Sequence, residues 1–143
     1  MIIAIDFDGT CVTHEYPEIG ESIGAEKVLR ALVKNGHQLV LCTMRGHKTH
    51  EGRDLLQEAV DWFEKNGIEL YGVNETPFQH TWTDSPKPYA HLYIDDAALG
   101  CPKMKSDISD RAYVNWEELD RIFKSTGIIS TLVPRDGQIV EEI

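Results

Sequence analysis

The chain is 143 residues long, 41% apolar and carries a formal net charge of −10, which suits one domain around one core. So acidic a chain weighs against a nonspecific nucleic-acid binder, which needs clustered Lys and Arg against phosphates. No apolar run is long enough to span a bilayer. Its three cysteines, Cys11, Cys42 and Cys101, are too scattered for a disulfide scaffold or a Cys-x-x-Cys zinc site. No basic then apolar leader opens the chain, so the expectation is a reduced, cytoplasmic protein.

The first ten residues carry the densest signal. An apolar run from Met1 to Ile5 reads as a strand buried on both faces. It leads into Asp6-Phe7-Asp8-Gly9-Thr10. In extended backbone, residues two apart point the same way, so Asp6 and Asp8 are expected on one side of the strand's carboxyl end. Adjacent carboxylates repel and are costly to desolvate, so a cation is expected between them. An oxygen-only acid pair suits Mg²⁺.

Val12 to Gly24 is polar, with Pro17, Gly20 and Gly24, and reads as a loop. Ala25, Val28, Leu29, Leu32 and Val33 then form one helical stripe that Gly36 stops. Gln38 to Thr43 reads as a second buried strand ending in a hydroxyl. Leu55, Leu56, Ala59, Val60 and Phe63 repeat at helical spacing up to Gly67, and Ile68 to Val73 reads as a third strand. Asn74 to Ala90 holds Pro77, Pro86 and Pro88 and is a long loop. It precedes a fourth strand, Leu92 to Asp96, again ending in acids. Ala112 to Val114 reads as a fifth strand, and Asn115 with Glu118 as a capping box for a helix to about Lys124. In the tail, 128–143, Thr131-Leu132-Val133 and Gln138-Ile139-Val140 flank Pro134-Arg135-Asp136-Gly137, which suggests a β-hairpin.

Strands alternating with helices predict an α/β fold of the three-layer, Rossmann-like kind, a parallel sheet covered on both faces, within a single domain 1–143. Ligands of such sheets bind at the carboxyl ends of the strands. Asp6, Asp8, Thr43, Asp95 and Asp96 all fall there. That convergence argues for a site more strongly than any one residue.

The motif Asp6-Phe7-Asp8-Gly9-Thr10 after an apolar strand, with Thr43, Lys87 and Asp95-Asp96 downstream, resembles the haloacid-dehalogenase-like hydrolase superfamily over roughly Met1 to Glu118. The resemblance implies a Mg²⁺-dependent phosphatase acting on a small phosphomonoester. Asp6 would be the nucleophile that forms an aspartyl-phosphate, and Asp8 the general acid and then base. Thr43 and Lys87 would bind the phosphoryl group, with Lys103 and Lys105 as alternatives to Lys87. Asp6, Asp8 through its main-chain carbonyl, Asp95 and Asp96 would hold the metal, with Asp95 favoured over Asp96 as the direct ligand. The places where cap domains are usually inserted hold only short loops here, so the chain resembles the capless type. Substrate selection then falls to the loops 12–24 and 74–90 or to a neighbouring subunit of a homo-oligomer.

Arg45, two residues after Thr43, is a candidate for binding a substrate anion. His47 and His50 have a metal-ligating spacing, but no nearby Cys or acid of matching geometry completes a set. Phe78, His80 and Trp82 could stack on a substrate or form a contact surface, while His37 and His91 read as strand-edge residues and Trp62 and Trp116 as core. Two rival readings share the fold. A receiver-like phospho-accepting domain carries its phosphorylated Asp after strand three, where this chain has Gly72-Val73-Asn74. A catalytically silent phosphate-binding module sits poorly with the retention of both Asp6 and Asp8. Transfer to an acceptor other than water stays open.

Overall fold

The structure, a computed structural model, describes residues 1–48 and 50–131. The hairpin expected in the tail lies outside the described residues beyond Thr131. Strands β1 (Ile2–Ile5), β2 (Gln38–Leu41), β3 (Gly72–Val73) and β4 (Leu92–Ile94) form a parallel sheet in the order β3-β2-β1-β4. Helices α1 (Ala25–Lys34) and α2 (Leu55–Lys65) make the crossovers from β1 to β2 and from β2 to β3. The chain then reverses across the sheet to set β4 on the far side of β1. In an open parallel sheet such a reversal leaves a crevice at the carboxyl ends of the two strands, here β1 and β4.

Crossovers made in opposite directions cover opposite faces, because each is right-handed. The side chains follow that rule. Ile3 and Ile5 sit opposite Leu39 and Leu41 in register. They join Val28, Leu29 and Leu32 of α1, Leu56, Ala59 and Phe63 of α2, and Trp116, Leu119 and Phe123 of α3 (Trp116–Ser125) in one buried cluster. Ala4 and Val40, also register partners, are buried on the other face.

The cover on that second face is the 74–91 crossover. Pro77, Pro86 and Pro88 lack the N–H a helix needs, and only a 3₁₀ turn forms at Gln79–Thr81. Gly72 lies opposite Val40, and a Cβ there would stand 2.3 Å from the Glu75 carbonyl oxygen and 3.1 Å from Pro77 Cδ. Tyr93, opposite Ala4, donates its hydroxyl to Pro88 O at 2.7 Å. The buried Gln79 braces the segment: its Nε2 donates to Ser85 O and Lys87 O, and its Oε1 accepts from Tyr89 N–H. The third layer of this fold is therefore a loop braced by the side chains of Gln79, Thr76 and Tyr93.

Several strands stop earlier than their sequence suggests. β2 ends at Leu41 and β4 at Ile94, so Thr43, Asp95 and Asp96 lie in the loops just beyond. Ile68 to Leu70 stays outside the ladder, which Tyr71 N–H joins by donating to Leu39 O at 2.7 Å, because α2 closes in a Schellman turn. Gly67 takes φ 67°, and the Ile68 N–H reaches Phe63 O at 2.9 Å, which draws Ile68 into the core. The expected fifth strand does not extend the parallel sheet. β6 (Tyr113–Val114) pairs antiparallel with β5 (Lys103–Met104) as a separate ribbon. That ribbon docks on the loop after β1: Val114 N–H donates to Gly9 O at 3.0 Å, and Trp116 Nε1–H to Thr10 O at 2.6 Å. Asn115 caps α3 by accepting from Glu118 N–H at 3.1 Å, but the Glu118 carboxylate turns to Arg121, so half of the expected capping box forms. Among the described residues no helix is long and apolar enough to cross a membrane.

Trp116→Phe removes the donor to the buried Thr10 carbonyl and shrinks a buried ring. It should cost at least roughly 1–3 kcal/mol, the penalty for an unpaired buried acceptor, to which the cavity beside the smaller ring adds, read as a lower urea midpoint at unchanged slope.

Candidate active site

β1 passes directly into the crevice. Asp6 N–H still donates to Ile94 O at 3.0 Å, extending the β1–β4 ladder, and Asp95 and Asp96 follow Ile94 at once. Carboxylate oxygens of Asp6, Asp95 and Asp96 lie within 4.8 Å of one another. The Thr10 hydroxyl bridges two of them, 3.1 Å from Asp6 Oδ2 and 3.3 Å from Asp96 Oδ1, and accepts from Asp96 N–H at 3.0 Å. Gly9 passes so close that a Cβ would lie 2.5 Å from Asp96 Oδ2, and it takes φ 80°. Both the left-handed turn and the close approach call for glycine. Asp95 is oriented by its own loop, with Oδ1 accepting from Ala97 N–H at 2.8 Å.

This crowding has an electrostatic consequence. Burial, the hydrogen bond to Asp96 and the charge of Asp95 push the Asp6 carboxyl up from 3.8 to about 8. The donor set is oxygen only, with no imidazole or thiolate in it. That fits a hard divalent cation such as Mg²⁺ and does not fit zinc. Both Asp95 and Asp96 belong to the cluster, and it is Asp96 that touches Asp6.

The Asp8 side chain opens into the same cavity, of about 400 Å³, but stands apart from that cluster. Both of its oxygens accept from Arg45: Nε to Oδ2 at 2.8 Å and Nη2 to Oδ1 at 2.8 Å. Nη2 also donates to Glu18 O, and Nη1 to Leu55 O. The guanidinium is stacked near the Phe7 and Tyr16 rings, 5.2 Å from each centroid, and Arg45 is only 2% exposed. Arg45 is therefore a clamp on Asp8 and has no free fork for a substrate anion. Any part for Asp8 in holding a metal falls to its main chain.

Thr43 lines the cavity as expected. Its N–H donates to Asn74 Oδ1 at 2.9 Å and its Oγ1 accepts from Arg45 N–H at 3.1 Å, which leaves the hydroxyl proton to donate. Lys87 does not line the cavity. Its Nζ lies 5.0 Å from the Tyr93 ring centroid, on the opposite face of the sheet, where the proline-rich crossover carries it. Lys103 and Lys105 are exposed on or beside the ribbon and do not line the cavity either. His47 pairs with Asp54, the N-cap of α2, and forms no metal set with His50. Phe78 and His80 line a separate depression on the 74–86 segment, and Trp82 packs edge-on against Tyr89. His37 and His91 flank the start of β1, and Trp62 and Trp116 pack on or in the core.

Sequence reasoning singled out none of five further residues of the cavity wall, His14, Tyr16, Met44, Ala97 and Arg111. Tyr16 sits in a loop without periodicity. Arg111 lies between Asp110 and the short strand β6, with no motif to mark it.

The sequence matches no protein-family profile and no curated protein. A solved structure of a conserved protein from Bacteroides thetaiotaomicron is similar, with 35% identity over 88% of this chain and 91% of that one, and a TM-score of 0.67. The chain belongs to the same family as that protein.

Removing Arg45 would leave Asp8 half-enclosed without its cation. Arg45→Met should destabilise the protein by about 3 kcal/mol, within the range for breaking a buried pair on one side, measured by urea unfolding. The raised Asp6 carboxyl gives a pH signature. A folded value above the unfolded one means stability that is full below pH 3.8 and lost as pH rises through about 8. Chelator-treated protein should show this decline in melting temperature, and millimolar Mg²⁺ should flatten it. A decline unaffected by Mg²⁺ would count against cation binding by the cluster.

Proposed function

We propose that this protein is a Mg²⁺-dependent phosphatase that hydrolyses a small phosphomonoester through an aspartyl-phosphate on Asp6. One observation carries the reading. Asp6 belongs to an oxygen-only carboxylate cluster with Asp95 and Asp96, while Asp8 opens into the same cavity on a cation of its own. Two carboxyls thus meet one small cavity in unequal surroundings, which is how acid pairs divide their roles.

Asp6, Asp95 and Asp96 would hold the ion, which when bound neutralises the acids and the phosphoryl oxygens approaching them. Asp6 attacks phosphorus and the bond to the leaving oxygen breaks. Asp8 supplies a proton to that oxygen, then takes one from the water that attacks the acyl-phosphate and frees Asp6. Both Asp8 oxygens accept from Arg45, so a proton on Asp8 replaces one of those hydrogen bonds. Arg45 meanwhile keeps the carboxyl in place. The Thr43 hydroxyl donates to a phosphoryl oxygen. The short loops after β1 and β3 leave the mouth uncapped, and Tyr16 and the 99% exposed Met44 at the cavity offer apolar contact to the leaving group. The free thiols of Cys11, Cys42 and Cys101 support a reduced, cytoplasmic setting.

The test is phosphate release from a panel of phosphorylated metabolites with Mg²⁺, run beside Asp6→Asn. The variant should fold, judged by its circular dichroism, and release no phosphate, since an amide cannot form the aspartyl-phosphate. Wild-type turnover in folded Asp6→Asn would overturn the mechanism.

A further inference from the structure

We propose that Arg111 binds the terminal phosphoryl group of the substrate, taking the part that the lysine of the 74–91 loop cannot. The proposal rests on the phosphatase reading and identifies the anion-binding residue of that site.

Asp6, Asp8, Asp95 and Asp96 line the cavity, and an incoming phosphomonoester adds negative charge. A divalent ion among three of the acids offsets part of this, and cationic side chains must supply the rest. Three basic residues line the cavity, His14, Arg45 and Arg111, and of their side chains only the two guanidinium groups carry a fixed positive charge. Arg45 is consumed by Asp8, Glu18 O and Leu55 O and is buried. Lys87 lies across the sheet against Tyr93.

Arg111 differs on each count. It is exposed, and its guanidinium has no hydrogen-bond or ion-pair partner among the described residues, although acids line the same cavity. Its backbone is tied down. Arg111 N–H donates to Ser109 Oγ at 3.2 Å, and Ser106 Oγ and Tyr113 OH meet at 2.7 Å across the loop that carries it. Just beyond, Val114 N–H bonds Gly9 O, so the loop that carries Arg111 is tied to the loop that holds Asp6 and Asp8. A planar five-donor fork suits the oxygens of a terminal phosphoryl group. An unpaired arginine in a cavity rich in carboxylates is poised for an anion that enters between them.

Calorimetric titration of inorganic phosphate into Mg²⁺-loaded protein tests this. Arg111→Gln should weaken phosphate binding roughly tenfold to a hundredfold, the scale of a charge-assisted hydrogen bond, and should raise KM more than it lowers kcat. Arg111→Lys should fall between the two, and Lys87→Gln should match wild type. The Arg111 guanidinium has no hydrogen-bond or ion-pair partner among the described residues, so an unchanged melting temperature should accompany the loss. The assignment is overturned alone if wild type is active while Arg111→Gln binds phosphate equally well, or if Lys87→Gln carries the loss instead. A wild type that neither binds phosphate nor releases it from any phosphomonoester brings down the phosphatase reading, and the assignment with it.

Discussion

Asp6, Asp95 and Asp96 bring three carboxyl groups within 4.8 Å of one another at the ends of two adjacent strands, a concentration of like charge that the rest of the structure has to maintain. Carboxylates at such spacing repel, and burial raises the cost of ionising them. What opposes the repulsion is covalent and hydrophobic. Ile5 and Ile94, paired in register and buried, hold the strand ends side by side, and each acid follows its strand with little slack. Thr10 then shares one hydroxyl between Asp6 and Asp96, and Gly9 makes the room. The apolar core thereby keeps the acids together, and the acids in turn create the demand for a cation.

Asp8 meets the opposite circumstance only two residues on. Its partner Arg45 donates also to the loop after β1 at Glu18 O and to the start of α2 at Leu55 O. One buried side chain of the loop after β2 thus ties the loop after β1, at Asp8 and Glu18, to the start of α2. Arg53 reinforces the same corner, donating to Glu18, Glu58 and Pro17 O. A buried ion pair is weak evidence for stability in itself. Here its effect is positional, because the side chain that holds Asp8 is itself anchored at Glu18 O and Leu55 O.

The cavity walls come from parts of the chain that are neither helix nor parallel strand. The β5–β6 ribbon reaches the site by bonding the loop after β1, and the 74–91 crossover turns away from it to cover the opposite face. That division decides which basic residues face the acids. It brings Arg111 to the cavity and takes Lys87 out of it.

By itself the sequence determined the strands and helices with strong periodicity: the apolar run into Asp6, the stripe from Ala25 to Val33, the repeat from Leu55 to Phe63, and the Asn115 cap. It also determined where the acids would gather, since a two-residue period and the carboxyl-end rule for parallel sheets are local and topological facts. Shorter elements were less legible. Ile68 to Tyr71 has strand composition, yet the helix end before it captures Ile68. Ala112 to Val114 has strand composition too, and its partner turned out to be Lys103–Met104. Only the tertiary structure decided the partners of the charged side chains. Arg45 and Asp8 are 37 residues apart, and Lys87 and Arg111 sit in loops shaped by Gln79 and by the ribbon's bonds to Gly9 and Thr10. A guanidinium or ammonium group pairs with whatever the loops bring near it, and no local period records which loops will meet.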